Sequence, residues 1–471
     1  MTLSTAEAAG LTSTRRYLVL TICCASLLVS VMDISIVNMA LPAIRDDLGA
    51  STSGLQWTVD AYTLVLASFL MLAGSTADRF GRKRMFRLGL TIFGLGSLLC
   101  SLAPGIDALI AARALQAVGG TMMNPVAMAI VVTVFPDRAE RARAIGIFGA
   151  TAGLSLVLGP ILGGALVDGL GWRSIFWVNL PIVVLVVIFT SLYVPESRAA
   201  RGRRFDPIGQ VLVVLLLGGV VTAIIESEKH GWAAPPIIAL LVVSAAAAAV
   251  LILYERRRTE PMLELRLFRS VPFSSAVVVA LFAYSGFGAF LFITTLYLQS
   301  VRHLSALHAG LSLLPLGLLI CVLSPLTGRV VGARGPRLPL VVAGSGLALG
   351  AAASLTIGLS TPLPVVLAIF LPFGVFLGMV NPPIANAAVS GMPGSMAGLA
   401  GSVASVGRQT GSSLGVAAAG SIVGATATTD PQRFVRAEHL VWWPMIAVGL
   451  VVVALALIST SRRARLTVQE L

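Results

Sequence analysis

Three ionisable residues stand where only hydrocarbon is expected: Asp33 in LLVSVMDISIVNMALP (27 to 42), Asp60 in QWTVDAY (56 to 62) and Arg113 in RALQAVGG (113 to 120). A carboxylate in the middle of an apolar helix costs at least about 2.5 kcal/mol, so it normally faces a partner or a water-filled path. Two carboxyls beside a guanidinium suit proton exchange. Arg113 holds one of them ionised, while desolvation and like-charge repulsion favour the neutral form of the other. By helix rise the three lie about 6, 7 and 10 Å to the same side of the middle of their runs, which puts them at one level. The proton-coupling candidates are therefore Asp33, Arg113 and Asp60. A static pair that only fixes helix packing, with Ser30 or Asn38 as a partner of Asp33, is the other reading. Between Glu264 and Asp430 there is no Asp or Glu, so carboxylate chemistry is expected in the first half. Arg408 is the one charge inside an apolar run of the second half, and either pairs across to the first half or bonds backbone carbonyls.

Such residues must be carried by membrane-spanning helices. Of the 471 residues 57% are hydrophobic and 11% charged, and the mean hydropathy is +0.93, far from the mix of a soluble domain. Fourteen runs are long enough to cross a bilayer: residues 17–41, 55–74, 85–103, 107–134, 143–168, 174–194, 207–226, 234–254, 273–299, 307–328, 338–358, 363–387, 395–423 and 440–459. They read as helices, because an open strand edge cannot be satisfied in lipid. Placing the N-terminus in the cytoplasm puts 25 Lys and Arg in cytoplasmic loops against six outside, which makes both termini cytoplasmic.

The same distribution argues against nucleic acid as a partner: a formal charge of +13 is spread over short loops beside lipid head groups and forms no single basic face. The cysteines Cys23, Cys24, Cys100 and Cys321 all fall within runs, so no disulfide is expected. The first run reads as an anchor, too long for a cleaved signal and without a small-residue cleavage site. Neither lysine follows the glycine of a phosphate loop, and the four scattered histidines suggest no zinc site or Ser-His-Asp arrangement. No cofactor, metal or enzymatic role is expected.

With the runs in place, eight local motifs become legible in order: MDISIVNMALP (32 to 42), QWTVDAY (56 to 62), GSTADRFGRKR (74 to 84), RALQAVGG (113 to 120), LGPILGG (158 to 164), WRSIFWVNLP (172 to 181), HAGLSLLPLG (308 to 317) and GRQTGSSLGVA (407 to 417). Together, over about residues 17 to 460, they resemble the major facilitator superfamily, in particular its fourteen-spanner drug:proton antiporters. The resemblance implies an all-α integral membrane protein of the major facilitator fold: two six-helix bundles plus two extra transmembrane helices, with substrate bound between the bundles and exposed to one side at a time. The corresponding division is a cytoplasmic tail 1–16, a first bundle 17–194, the extra helices with a basic loop 195–272, a second bundle 273–460 and a tail 461–471.

The motifs also have a physical reading. Gly74 and Gly81 permit a tight turn, and Asp78 stands before the N-terminus of the third span, where the helix dipole favours an anion. The resemblance makes this loop a cytoplasmic gate of Gly74, Asp78, Gly81, Arg82 and Lys83 that favours the outward-open state. It also makes Gly159, Pro160, Gly163 and Gly164 an exporter signature of the fifth span, and gives Arg113 a part in proton coupling. Pro160 bends its helix and the glycines admit close neighbours. Thr76 and Ala117 depart from the family's usual leucine and glycine, and GRVVGARGPR (328 to 337) lacks the aspartate of its counterpart loop.

The function expected is proton-driven export of a lipophilic drug or antibiotic, neutral or cationic, from a bacterium across its cytoplasmic (inner) membrane, by a chain working as a monomer on the proton gradient alone. A proton-coupled importer, a metabolite exporter, and a sensor or scaffold without flux are the alternatives. Asn38, Gln116, Tyr284, Phe287, Phe373, Phe376 and Arg408 are candidates for the substrate cavity. Phe370, Phe373 and Phe376, like Tyr284, Phe287 and Phe290, form aromatic stripes that either line it or pack in the core.

Overall fold

A computed structural model describes residues 12–198, 206–258, 261–389, 394–424 and 430–461, together with 464 and 467. Most of both expected tails and part of the 195–272 segment lie outside these residues. The described chain contains fourteen long helices: α1 Ser13–Leu48, α2 Thr52–Phe80, α3 Arg82–Ser101, α4 Ile106–Val134, α5 Arg138–Leu170, α6 Ser174–Tyr193, α7 Pro207–His230, α8 Pro235–Glu255, α9 Val271–Val301, α10 Ala306–Arg334, α11 Arg337–Ser354, α12 Leu363–Val389, α13 Gly394–Val423 and α14 Pro431–Ser459.

Local chemistry sets where they begin and end. Ser51, Asp206, Ser270, Ser305 and Asp430 accept bonds from the first free N–H groups of α2, α7, α9, α10 and α14, and Pro207 and Pro431 sit where a missing N–H costs nothing. Gly49 closes α1 in the left-handed conformation, with φ 61°. These caps carry the helices past the apolar runs, so the run at 17–41 becomes a helix of 36 residues, and α14 begins nine residues before the run at 440–459.

Twelve of the fourteen are long and apolar enough to cross a membrane. The other two of the expected fourteen are α3, which begins with Arg82, Lys83, Arg84 and Arg87, and α13, diluted by glycine, serine, Arg408 and Gln409. Helix α3 packs on α4 and α6 along one face and leaves Leu88, Leu95 and Leu99 exposed on the other, whereas α13 lies among α9, α2 and α7.

The packing repeats itself. Helix α1 packs on α4, α5 and α6, and α9 on α12, α13 and α14; α3 meets α4 and α6 as α11 meets α12 and α14. Helices α1–α6 and α9–α14 thus form two similar bundles. Between them in sequence, α7 lies along both α2 and α13, and α8 packs on α7.

The two bundles join at one end only. Call the end where α1 begins, which carries most of the arginines, the near end. In the far half a continuous apolar core runs from Met32, Ile36 and Leu55 in the first bundle to Phe290, Leu296 and Leu316 in the second. The near half of the first bundle has a separate core around Leu20, Phe86, Ile130 and Phe135. At the near end the helices facing the other bundle stand apart. A Cβ added at Gly74 of α2, Gly146, Gly149 and Gly153 of α5, Gly328 and Gly332 of α10 or Gly401 of α13 would meet nothing within 4 Å. The space between the bundles is closed at the far end and open at the near end.

Candidate functional site

Asp33 is fully buried in α1, and four helices converge on it. From α4, Arg113 Nη1 donates to Asp33 Oδ2 at 2.5 Å and to Gln116 Oε1 at 2.7 Å. Gln116 Nε2 donates to Asp33 Oδ1 at 2.8 Å, and Asn179 Nδ2 of α6 reaches the same oxygen at 3.2 Å. Both amides also donate to Ser97 Oγ of α3, which in turn donates to the Phe176 carbonyl. Arg113 is 1% exposed, so its charge is held by this network and by the ring of Tyr62, 4.3 Å from the guanidinium carbon. Neither Ser30 nor Asn38 bonds Asp33: Asn38 donates to the Ile34 carbonyl, and Ser30 accepts from Asn124.

The expected three-residue cluster splits. Asp60 does not join Arg113, because it leaves α2 toward the second bundle. It is fully buried, accepts from Thr63 Oγ1 at 3.3 Å and faces Ser413 of α13. Among the described residues no cation pairs with it. What joins the two carboxyls is α2 itself: Arg113 Nε donates to the Thr58 carbonyl at 3.2 Å, two residues before Asp60.

Helix α2 is also one half of the seam that closes the far end. Gln56 Nε2 donates to the Ala417 carbonyl at 2.7 Å and Thr52 Oγ1 to the Gly424 carbonyl at 2.9 Å. The other half is the crossing of α5 and α10. A Cβ on Gly164 would fall on the Ala306 carbonyl, one on Gly310 would fall on the Pro160 carbonyl, and those on Gly159 and Gly163 would strike Ser35 and Ile36 of α1. The LGPILGG stretch is therefore the surface by which α5 lies backbone to backbone against α10 and close on α1. Asp168, just beyond it, accepts from the N–H groups of Ala306 and Leu307 at 3.1 and 2.9 Å, at the start of α10. Gln299 Nε2 of α9 donates to the Met39 carbonyl of α1. Among the described residues, all hydrogen bonds between the bundles lie in this far half.

The description of the Major Facilitator Superfamily matches residues 23–416. The chain belongs to this superfamily. This major facilitator is 36% identical over 422 residues to the multidrug resistance protein Stp of Mycobacterium tuberculosis, covering 87% of this chain and 78% of that one. It is 35% identical over 403 residues to the methylenomycin A resistance protein of Streptomyces coelicolor, covering 85% and 84%. It is also 36% identical over 421 residues to the puromycin resistance protein pur8 of Streptomyces alboniger, covering 88% and 83%. Its fold is similar to that of a POT family transporter in complex with a thioalcohol-conjugated peptide, with TM-score 0.69, 14% identity and 94% and 96% of the two chains covered. The xylose transporter XylE from E. coli, in a partially occluded inward-open conformation, gives TM-score 0.64, 14% identity and 95% and 97% coverage. The protein is a multi-pass membrane transporter rather than an enzyme.

At the near end of this major facilitator, the loop residues bind within the first bundle. Asp78 belongs to the last turn of α2, and accepts from Arg82 Nη2 at 2.9 Å; Arg82 also donates to Thr133 Oγ1 of α4 at 2.6 Å. The anion at the start of α3 is Glu196, which accepts from the Lys83 N–H at 3.1 Å, while Lys83 Nζ donates to the Ser191 carbonyl. Asp78 was expected there, but the chain does not turn until Gly81, whose φ is +107°. Gly74 lies inside α2 and takes no part in the turn.

In the second bundle the aromatic stripes divide. Phe373 stacks on Phe290 with ring centroids 4.3 Å apart, edge-on Phe370 and tilted Trp442 complete the group, and Phe376 is 1% exposed, so all pack in the core. Phe287 is buried beside Tyr284. Tyr284 is half-buried and donates its hydroxyl to Asn381 Oδ1 of α12 at 2.8 Å. Arg408, half-buried, donates to Ser405 Oγ at 2.6 Å.

Asn179, Ser97, Thr58 and Glu196 did not stand out in the sequence as functional residues. Asn179 lies within WRSIFWVNLP and was readable as a polar residue in an apolar run, whereas Ser97 and a backbone carbonyl carry no such signal. Glu438 is a further correction: the extended α14 buries it to 2% exposure, so the second half does contain an enclosed carboxyl.

Proposed function

We propose that this protein is a fourteen-spanner drug:proton antiporter of a bacterial cytoplasmic membrane, exporting a lipophilic small molecule by alternating access. Its arginine-rich near end faces the cytoplasm by the positive-inside bias. The conformation described above is then inward-open, with the outer end sealed by α2 on α13 and α5 on α10. The names of the three relatives given above, each a resistance protein, support export as the direction.

One observation carries the reading: the buried Asp33–Arg113 pair is wired to α2, the helix that closes the outer seam. A proton arriving at Asp33 Oδ2 removes the anion that neutralises Arg113. The guanidinium, left charged in a dry bundle, keeps the Gln116 and Thr58 carbonyl oxygens as acceptors, so its hold on α2 carries more of its stabilisation. Beside Thr58, Gln56 bonds α13 and Asp60 is buried against it, and a charge on Asp60 would be unpaired while the seam is closed. Proton occupancy in the first bundle thereby decides how α2 sits against α13. A potential of 100 mV supplies about 2.3 kcal/mol per charge moved inward, enough to drive cargo uphill by nearly fiftyfold.

Purified protein in liposomes with an imposed pH gradient tests this with a panel of fluorescent lipophiles. Gradient-driven movement of any of them, abolished by a protonophore, is the result expected. Accumulation on the cytoplasmic side with protons would make the protein an importer, and binding without flux would make it a sensor.

A further inference from the structure

The charge that the transport cavity presents to cargo is opposite to the one its acids suggest. Asp33 is enclosed in the first bundle and paired with Arg113, and Asp60 is sealed against α13. Asp78, at the near rim, is taken up by Arg82. Among the described residues no carboxylate at mid-depth faces the open space between the bundles. Glu438 is enclosed within the second bundle near Trp442.

Arg408 does face that space. The orientation of α13 follows from its neighbours. Gly407, Gly411 and Gly415 lie against the backbone of α9 at Val277, Leu281 and Ser285. Leu414 and Ala417 pack on Val221 and Ile225 of the peripheral α7. Gly420, with Ser413 and Ala417, meets α2. Helices α12 and α14 touch α13 more lightly. At about 100° per residue, the direction opposite α7 carries Ser405, Arg408 and Gln409. All three are half-buried rather than enclosed, as a cavity wall requires. The Tyr284 hydroxyl lies within electrostatic range of Arg408 and is joined to Asn381 across α9 and α12.

A guanidinium has five N–H donors in a planar fork, and at membrane depth an anion or strong acceptor is the partner that offsets its desolvation. Within the described residues, the hydrogen bond that this fork makes is the one to Ser405. We infer that Arg408, with Tyr284 and Asn381, forms the head-group subsite of the transport cavity, and that the cargo is a lipophile bearing a carboxylate, phenolate or comparable oxygen acceptor. This rests on the exporter reading and replaces a cation with an acidic or acceptor-rich molecule as cargo. The guanidinium grips the oxygens, in a bidentate manner for a carboxylate. The apolar body lies along the open halves of α5 and α10.

Three anthracene probes that differ only in their head group, a carboxylate, its methyl ester and a trimethylammonium, test the assignment. Binding is read from quenching of tryptophan fluorescence in the purified protein, and flux from proteoliposomes with an imposed pH gradient. The carboxylate should bind about ten- to a hundredfold more tightly than the ammonium. Arg408→Gln should remove that advantage while leaving the ester within about threefold of wild type, and Arg408→Lys should keep part of it. A merely structural Arg408 would change all three alike, and that result overturns the subsite, as does an ammonium bound as well as the carboxylate or no binding at all. Gradient-driven flux of the ester without carboxylate selectivity refutes the subsite and leaves the exporter standing; no flux of any probe refutes both.

Discussion

Asp33→Asn keeps the shape of the side chain and removes its charge, which leaves Arg113 buried at 1% exposure without a counter-ion. Three donors now converge on Asp33, from Arg113 at 2.5 Å, Gln116 at 2.8 Å and Asn179 at 3.2 Å, and an amide cannot accept all of them with both its atoms. Breaking a buried pair from one side typically costs about 3–5 kcal/mol. Arg113→Gln alone should cost a similar amount, because it strands the carboxylate. The double variant Asp33→Asn with Arg113→Gln strands nothing, and should recover at least about 2 kcal/mol of the summed losses. Unfolding of the four proteins in one detergent gives the cycle. Gradient-driven flux in liposomes should fall more than about a hundredfold in all three variants, because the double variant regains packing but not a titratable group. A double variant that transports with the wild-type dependence on the pH gradient would refute proton coupling at Asp33. A double variant no more stable than the singles would refute the claim that the pair is held by mutual neutralisation.

Other perturbations separate the seam from the proton site. Gly164→Val drives side-chain atoms into the Ala306 carbonyl of α10 and should weaken far-end closure by about 1–3 kcal/mol; spin-label distances between the outer ends of α5 and α10 should lengthen. Asp168→Asn removes the charge from two N–H bonds at the start of α10 and, being exposed, should cost only about 0.3–1 kcal/mol. The same distances should report a rise in the open fraction of roughly two- to fivefold if the protein remains mostly closed. Glu196→Gln weakens the acceptor at the start of α3 and should lower stability by about 0.5–1 kcal/mol, seen as a lower melting temperature with far less effect on flux than Asp33→Asn.

The helices were legible in the sequence because lipid demands long apolar runs with satisfied backbones, and the order of motifs identified the family. Less legible was anything set by the face a residue presents. Asp33 and Asp60 share a level in the membrane, yet α1 aims one into the first bundle and α2 aims the other at α13. Residue spacing measures depth well, but the direction of a side chain depends on which neighbours enclose the helix. Glu438 escaped notice for another reason: the hydrophobic run begins after it, whereas the helix begins at Pro431, capped by Asp430. Asp78 and Glu196 exchanged places because a cap is chosen by three-dimensional proximity, and Glu196 arrives from the end of α6, far along the chain.

The placement of α7 has a consequence for the membrane itself. It grips α2 by hydrogen bonds, Gln210 Nε2 to the Ser68 carbonyl at 2.8 Å and Trp57 Nε1 to Glu226 Oε1 at 3.2 Å. Toward α13 it offers mainly Val221 and Ile225 against Leu414 and Ala417. In the alternation proposed above, a parting of α13 from α7 lets acyl chains fill the apolar gap at nearly no hydrophobic cost, because lipid tails are as apolar as the side chains they replace. The bilayer then acts as a solvent for one side of the joint, and the ease of opening becomes a property of the surrounding lipid as well as of the protein.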